Sequence, residues 1–170
     1  MNEHKTDETR HTLSILVDNE PGVLSRVSGL FSGRGFNIAS LSVAETMDPK
    51  ISRITAVIPG SEMILEQIKK QLRKLINVHR VTDITDTPRV ERELALLKVK
   101  AKNGARAEVL RIVDIFRAKV VDVSPYDYTI EVTGTLEKID AILSLLSQFG
   151  ISEIAKSGLT ALARSTKGEK

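Results

Sequence analysis

The sequence contains no cysteine and no tryptophan, and aromatic residues make up only 4% of its 170 positions. Without cysteine the chain has no disulfide, no thiolate zinc site, no iron–sulfur cluster and no cysteine nucleophile. The scarcity of aromatic side chains leaves few platforms on which nucleic-acid bases could stack. The lack of disulfides fits a cytoplasmic location.

Long apolar runs are also missing, since no stretch approaches the roughly 20 residues that a membrane-spanning helix needs. The segment 1–10, MNEHKTDETR, lacks the apolar core of a signal peptide, and we expect it to be a disordered tail. The 25 basic and 22 acidic residues give a net charge of +3. This charge is too small to indicate a nucleic-acid partner. We therefore expect a cytoplasmic protein that binds neither membranes nor nucleic acids.

The first half of the chain alternates between strand and helix patterns. Apolar residues at every second position predict four strands, at Thr12–Val17, Asn37–Ala44, Ile51–Ile58 and Val78–Thr85. Helical spacing predicts one helix with Pro21 at its first position and Gly33 at its end, and a second helix capped by Ser61. The resulting order is βαββαβ.

The second half repeats this order. Strands are predicted at Leu94–Ala101, Lys119–Ser124, Tyr128–Thr133 and within Ile151–Ala163, and helices are predicted to open at Asn103-Gly104 and at Thr135. The charged segment 87–93, which contains Pro88, predicts a linker between the halves. A repeated βαββαβ order is typical of ferredoxin-like folds, in which two helices cover one face of an antiparallel sheet.

The fold class predicted from these patterns is α+β, with two ferredoxin-like βαββαβ domains in tandem. The domains are expected at 11–86 and 94–165, between the tail at 1–10 and a second tail at 166–170. A domain of this size is marginally stable alone, so contacts between the halves or between chains are expected.

Catalytic and metal-binding patterns are not found. The three histidines, His4, His11 and His79, have no partner at metal-ligand spacing, and no HExxH motif occurs. No G-x-S-x-G nucleophile motif is present, and the carboxylates near the linker are best interpreted as a solvated connection. The expectation is a chain with no catalytic residue and no metal site.

RNA-recognition motifs share the βαββαβ order and are the main alternative fold family with a different function. They need aromatic residues on their two central strands. The strands at Thr12–Val17 and Ile51–Ile58 contain none, and the second half offers only Tyr126 and Tyr128. RNA binding is therefore disfavoured.

The turn at 18–24 is the strongest candidate for a ligand site. It combines Asn19 with Pro21-Gly22 at a helix start, where free backbone N–H groups and the helix dipole suit a carboxylate. Gly22 has no side chain, so a small ligand can approach the backbone closely. If two chains meet edge to edge, Asn37 of one chain could face this turn in the other and bind an ammonium or carboxylate group.

The sequence resembles a known protein family. The segment HTLSILVDNEPGVLSRVSGLFSGRGFNIASLSVAET resembles the N-terminal ACT domain of acetolactate synthase (acetohydroxyacid synthase) small subunits. The segments VHRVTDIT, VERELALLKVKA, EVLRIVDIFRAKVVDVSPYDYTIEVTGT and IAKSGLTALAR resemble the rest of that family's chain. The resemblance covers about His11 to Arg164 and implies an ACT domain followed by a second ferredoxin-like domain.

The resemblance implies a regulatory subunit without a catalytic site of its own. Its partner would be the catalytic large subunit, which holds thiamine diphosphate, magnesium and FAD and joins pyruvate to pyruvate or 2-oxobutyrate in branched-chain amino-acid biosynthesis. The small subunit would bind none of these cofactors. It would form a homodimer through its ACT sheet, activate the large subunit and confer feedback inhibition by valine.

The family's effector site is carried over by motif. The resemblance implies a valine-binding loop and two residues from the opposite chain; the full set is Asn19, Pro21, Gly22, Val23, Leu24, Asn37 and Ile38. Two alternatives stay open besides RNA binding: a free-standing amino-acid-sensing ACT protein with another client, and an independent enzyme, which no constellation of residues supports.

Overall fold

A computed structural model describes residues 9–102 and 104–165. Its elements are, in chain order, β1 (Arg10–Asp18), α1 (Val23–Ser32), β2 (Ser40–Glu45), β3 (Ile51–Pro59), α2 (Glu62–Leu72), β4 (Val78–Asp83), β5 (Arg89–Lys100), α3 (Ala105–Ile115), β6 (Lys119–Val123), β7 (Asp127–Gly134), α4 (Leu136–Ser147), β8 (Ile151–Lys156) and β9 (Thr160–Ala163). The predicted βαββαβ order therefore occurs twice, and the α+β fold class is confirmed.

The described residues divide into two compact units. Unit 1 consists of two segments, the residues up to Val90 and the residues from Ala161 onwards, whereas unit 2 is Glu91–Thr160. Residues 1–8 and 166–170, which cover nearly all of the two expected tails, lie outside the described residues, as does Asn103. The domain boundaries proposed from the sequence stay predictions.

Unit 1 contains an antiparallel sheet in the order β2-β3-β1-β4. Alternation along β1 places one set of side chains towards the helices, and the register pairs Leu13 with Ala56 and Ile15 with Ile54. These four residues are fully buried. Helices α1 and α2 add their own apolar stripes to this core through Val23, Val27, Phe31, Leu65, Ile68 and Leu72.

Unit 2 is built the same way, with its sheet in the order β6-β7-β5-β8. Its core joins Leu97 and Val99 of β5 to Ile130 of β7 and to the helix residues Val109 and Ile139, which are all fully buried. The α4 cap is as predicted, because the Thr135 Oγ1 accepts a hydrogen bond from the Lys138 N–H at 3.4 Å. Ser61 also occupies its predicted N-cap position, although it makes no side-chain capping bond.

Several predicted element boundaries differ from the structure, and three of these differences concern the candidate loop, the segment after α1 and the expected linker. Helix α1 begins at Val23, so Pro21 is not its first residue and the N-cap is Gly22. The second strand begins at Ser40 rather than Asn37. Strand pairing explains this difference, since the ladder with β3 starts at Ser40 opposite Val57.

The third boundary concerns β5, which begins at Arg89 rather than Leu94. Residues 89–93 of the segment expected to be a linker therefore lie in a strand. Strand β9, which was not predicted separately, pairs with β5. Beside it the Arg164 N–H donates to the Pro88 carbonyl at 2.7 Å, and both residues belong to unit 1.

The central position of Ile54 makes it a direct test of the unit 1 core. We expect Ile54→Ala to lower the free energy of unfolding of unit 1 by about 2–5 kcal/mol, because it removes buried methyl groups and leaves a cavity. The matched control is Ile76→Ala in the same unit, where the side chain is 92% exposed, and we expect a change within about 0.5 kcal/mol. Urea titration of both variants measures the difference, and equal losses would contradict the assigned core.

Candidate functional site

The loop between β1 and α1 is held against the β2–β3 hairpin by Asn19. Its backbone N–H donates to the Lys50 carbonyl at 2.7 Å. Its side-chain Nδ2 donates to the Pro49 carbonyl at 2.9 Å and to Glu45 Oε1 at 3.1 Å. Both amide hydrogens therefore position the loop, and the Asn19 Oδ1 remains as the acceptor that a ligand's ammonium group can use.

Gly22 starts α1 in a left-handed conformation, with φ 85° and ψ −12°. An added Cβ atom at this position would meet nothing within 4 Å, so the backbone is open to the approach of a small molecule. The helix has no side-chain N-cap bond and no acidic residue in its first turn. The Val23 N–H donates to the Glu20 carbonyl at 3.3 Å, so the next N–H groups of the first turn, those of Leu24 and Ser25, and the positive end of the helix dipole favour an anion at this helix start.

The remaining loop residues differ in what they present. Pro21 is exposed ahead of the helix. The Val23 side chain is only 3% exposed and belongs to the core, and its backbone N–H is bonded within the loop, so Val23 presents no free donor or side chain to a ligand. Leu24 is 44% exposed and is the apolar side chain beside Gly22 that a ligand can reach.

Asn37 and Ile38 lie in the segment between α1 and β2. Asn37 is exposed, whereas Ile38 is half-buried and packs against the unit 1 core. They precede β2, which is an edge strand of its sheet. Within the described part of the chain no hydrogen bond joins either residue to the loop at 19–24, and their expected meeting with the loop of an opposite chain stays a prediction.

An ionic cluster fixes the residue that precedes the loop. The Asp18 carboxylate accepts a bond from Asn77 Nδ2 at 2.9 Å and lies 2.6 Å from His79 Nε2. Arg26 of α1 donates to Asn77 Oδ1 at 2.6 Å, which ties the helix to the same group. The hydrogen bond from Asn77 and then that from His79 lower the pKa of Asp18 below its ordinary value of 3.8.

No local pattern in the sequence indicates this cluster. Asp18 and His79 are 61 positions apart, and the antiparallel pairing of β1 with β4 brings them together. In the sequence, His79 stands out only as a histidine without a partner at metal-ligand spacing. A short-range motif cannot show such a pair, although a histidine near a strand start and an aspartate at a strand end are compatible with it.

The other residue types considered from the sequence do not assemble into a site within the described part of the chain. His11 is 7% exposed and bonds through Nε2 to the Gly60 carbonyl at 3.0 Å, and His4 lies outside the described residues. Residues 9–102 and 104–165 hold no group of three or more metal-ligating side chains.

Among the described helices, none is long and apolar enough to cross a membrane.

Comparisons with known proteins identify a family for both units. A family model described as the AHAS small subunit-like ACT domain matches residues 13–80, and one described as the small subunit of acetolactate synthase matches residues 92–165. The acetolactate synthase small subunit of Aquifex aeolicus is 53% identical over 91% of this chain and 81% of its own length. That of Mycobacterium bovis is 51% identical over 93% of this chain and 94% of its own length.

Among solved structures, the acetolactate synthase small subunit from Thermotoga maritima matches with a TM-score of 0.82 and 41% sequence identity. The match covers 92% of this chain and 98% of that one. Both units therefore have counterparts in a single related chain.

Acid titration tests the Asp18 cluster. Because the pKa of Asp18 is lowered from 3.8 in the folded state, its contribution to stability is complete above that ordinary value and is lost as the pH falls through the folded value. We expect Asp18→Asn to make the fall of the free energy of unfolding below about pH 4 shallower. Asp86→Asn, at an exposed position in the same unit, should keep the wild-type slope. An unchanged slope in Asp18→Asn would contradict the assignment.

Proposed function

Because the chain belongs to the family of acetolactate synthase small subunits, we propose that it is the regulatory subunit that binds the catalytic large subunit, raises its activity and confers feedback inhibition by valine. The resemblance noted in the sequence is confirmed by the family matches. The observation that carries the proposal is the uncapped start of α1 at Gly22, next to an asparagine whose acceptor oxygen is available.

Valine is proposed to bind with its carboxylate at the first N–H groups of α1. Its ammonium group then has the Asn19 Oδ1 within the same chain and Asn37 from the opposite chain as candidate partners. The isopropyl group needs a small apolar surface, which Leu24 and Ile38 can supply. In the proposed site, backbone N–H groups bind the carboxylate of valine, and apolar side chains contact its isopropyl group.

A homodimer formed through the edge of the ACT sheet is part of this proposal. Strand β2 is an edge strand of its sheet and follows directly after Asn37 and Ile38, and an edge strand is where the sheet of a second chain can add. A site shared by two chains lets valine favour one arrangement of the dimer over another. Effector coupling of this kind is typically worth about 1–3 kcal/mol, which is about 5- to 150-fold in affinity.

The carbon–carbon bond formation itself is assigned to the large subunit. Thiamine diphosphate, magnesium and FAD are proposed to be held there, and this chain is proposed to act on that chemistry only through binding. The expected cytoplasmic location stays a prediction, as does the absence of membrane and nucleic-acid partners.

A negative charge introduced into the loop tests the proposed effector site. We expect Gly22→Asp to weaken valine binding at least tenfold, because it places a carboxylate beside the carboxylate of the ligand. Calorimetric titration of the purified full-length protein with valine measures the change.

Two controls separate charge from backbone conformation. Gly22→Asn has a similar shape and tolerates a positive φ but adds no charge, so it should bind valine more tightly than Gly22→Asp. Gly104→Asp introduces the same charge at the N-cap of α3, where φ is 84°, and should leave valine affinity unchanged. Wild-type affinity in Gly22→Asp would overturn the site.

Reconstitution tests the partner. Mixing the full-length protein with the catalytic large subunit from the same source should raise the rate of acetolactate formation, and valine should lower that rate. The large subunit alone is the control and should respond to valine much less. Binding of valine without any association with the large subunit would instead favour a free-standing sensor with another client.

A further inference from the structure

A cleft of about 260 Å³ lies on the face of the unit 1 sheet opposite its helices. Strands β1, β3, β4 and β9 and the residue after β4 line it. The lining residues are Ser14, Leu16, Arg53, Arg80, Thr82, Ile84, Leu162 and Ala163. All of these residues belong to unit 1. We call it the Arg53–Arg80 cleft. It is distinct from the loop at 19–24, none of whose residues line it.

Two arginines converge on this cleft because of strand register. Arg53 of β3 and Arg80 of β4 are both paired with Leu16 of β1, one on each side. Their Cα atoms are therefore about 10 Å apart, which is two strand spacings. Both side chains are long enough to reach a single group bound above Leu16.

The two guanidinium groups have no carboxylate partner within the described part of the chain. Arg53 Nη1 donates to Ser14 Oγ at 2.6 Å, and the lining of the cleft contains no acidic residue. Asp18, the nearest acidic residue along β1, is held by Asn77 and His79. The sheet thus brings two like charges together without compensating them.

We propose that the Arg53–Arg80 cleft binds a phosphate group, as inorganic phosphate or pyrophosphate. A guanidinium presents N–H donors in a planar fork that matches phosphate oxygens, and two such forks suit a dianion. The hydroxyl groups of Ser14 and Thr82 supply further donors. Bound phosphate would compensate the two arginines.

The size and the walls of the cleft limit the kinds of ligand that it can bind. Its volume is below the 300–1,000 Å³ that is usual for drug-sized ligands, which favours a small anion. Leu16, Ile84 and Leu162 are apolar, so the charges interact in surroundings of lower polarity than bulk water, where their attraction to an anion is stronger.

Phosphate-dependent stability tests the proposal. Ligand that binds only the folded state raises the melting temperature by mass action. We expect phosphate and pyrophosphate to raise the melting temperature of the full-length protein more than sodium chloride at equal ionic strength, with saturation. Calorimetric titration with each anion gives the affinity. An equal response to chloride, or no saturation, would overturn the proposal.

Charge-removing variants locate the site. Arg80→Gln and Arg53→Gln should each weaken phosphate binding about tenfold, because each removes a charge-assisted hydrogen bond. Arg80 is exposed, so its variant is expected to fold even if that of the half-buried Arg53 does not. Arg111→Gln, at an exposed position of unit 2, is the matched control and should bind phosphate as the wild type does.

Two further results separate this proposal from the valine site and from a protein partner. Valine affinity should be unchanged in Arg80→Gln, so failure of either proposal is visible independently of the other. If Arg80→Gln binds phosphate normally but no longer associates with the large subunit, the cleft receives an acidic segment of that protein and the phosphate proposal is wrong.

Discussion

Strand β1 is hydrogen-bonded on both sides, and the features of unit 1 described above take their positions from it. Its inner side chains, Leu13 and Ile15, are fully buried under α1 and α2, so the register with β3 cannot slip without exposing them. Asp18 at its end fixes the start of the loop, and Leu16 on its other face separates the two arginines of the cleft. The loop at 19–24 and the Arg53–Arg80 cleft thus both take their positions from one strand.

The sequence predicts most of the fold because burial leaves a periodic pattern. The core residues of β1, β3, α1 and α2 alternate or recur as expected, and these elements are found close to their predicted positions. The start of β5 could not be predicted, since Val90 is 43% exposed and its neighbours are charged. Strand β5 depends on pairing with β7, β8 and β9, which all lie far along the chain, and such non-local hydrogen bonds leave no local pattern.

The candidate site is predictable only in its chemistry. A helix start with Gly22 and Asn19 indicates a place for a carboxylate and an ammonium group, and the loop residues 19 and 21–24 do lie together. The sequence could not show that the Asn19 amide hydrogens are used by Glu45 and Pro49, because the hairpin contact arises from folding. Nor could it show Arg53 and Arg80 on either side of Leu16, since only strand register brings them together.

Unit 1 is discontinuous in sequence, and this affects the order in which the protein can fold during synthesis. Its last residues, from Ala161 on, leave the ribosome about 70 residues after Val90. At about 5–20 residues per second, that interval is roughly 4–14 s. During this time the unit 1 sheet can form, but the wall made by Leu162 and Ala163 and the bond from Arg164 to Pro88 cannot. Unit 1 is therefore translated first but completed last. If translation stops within unit 2, unit 1 lacks the residues from Ala161 onwards.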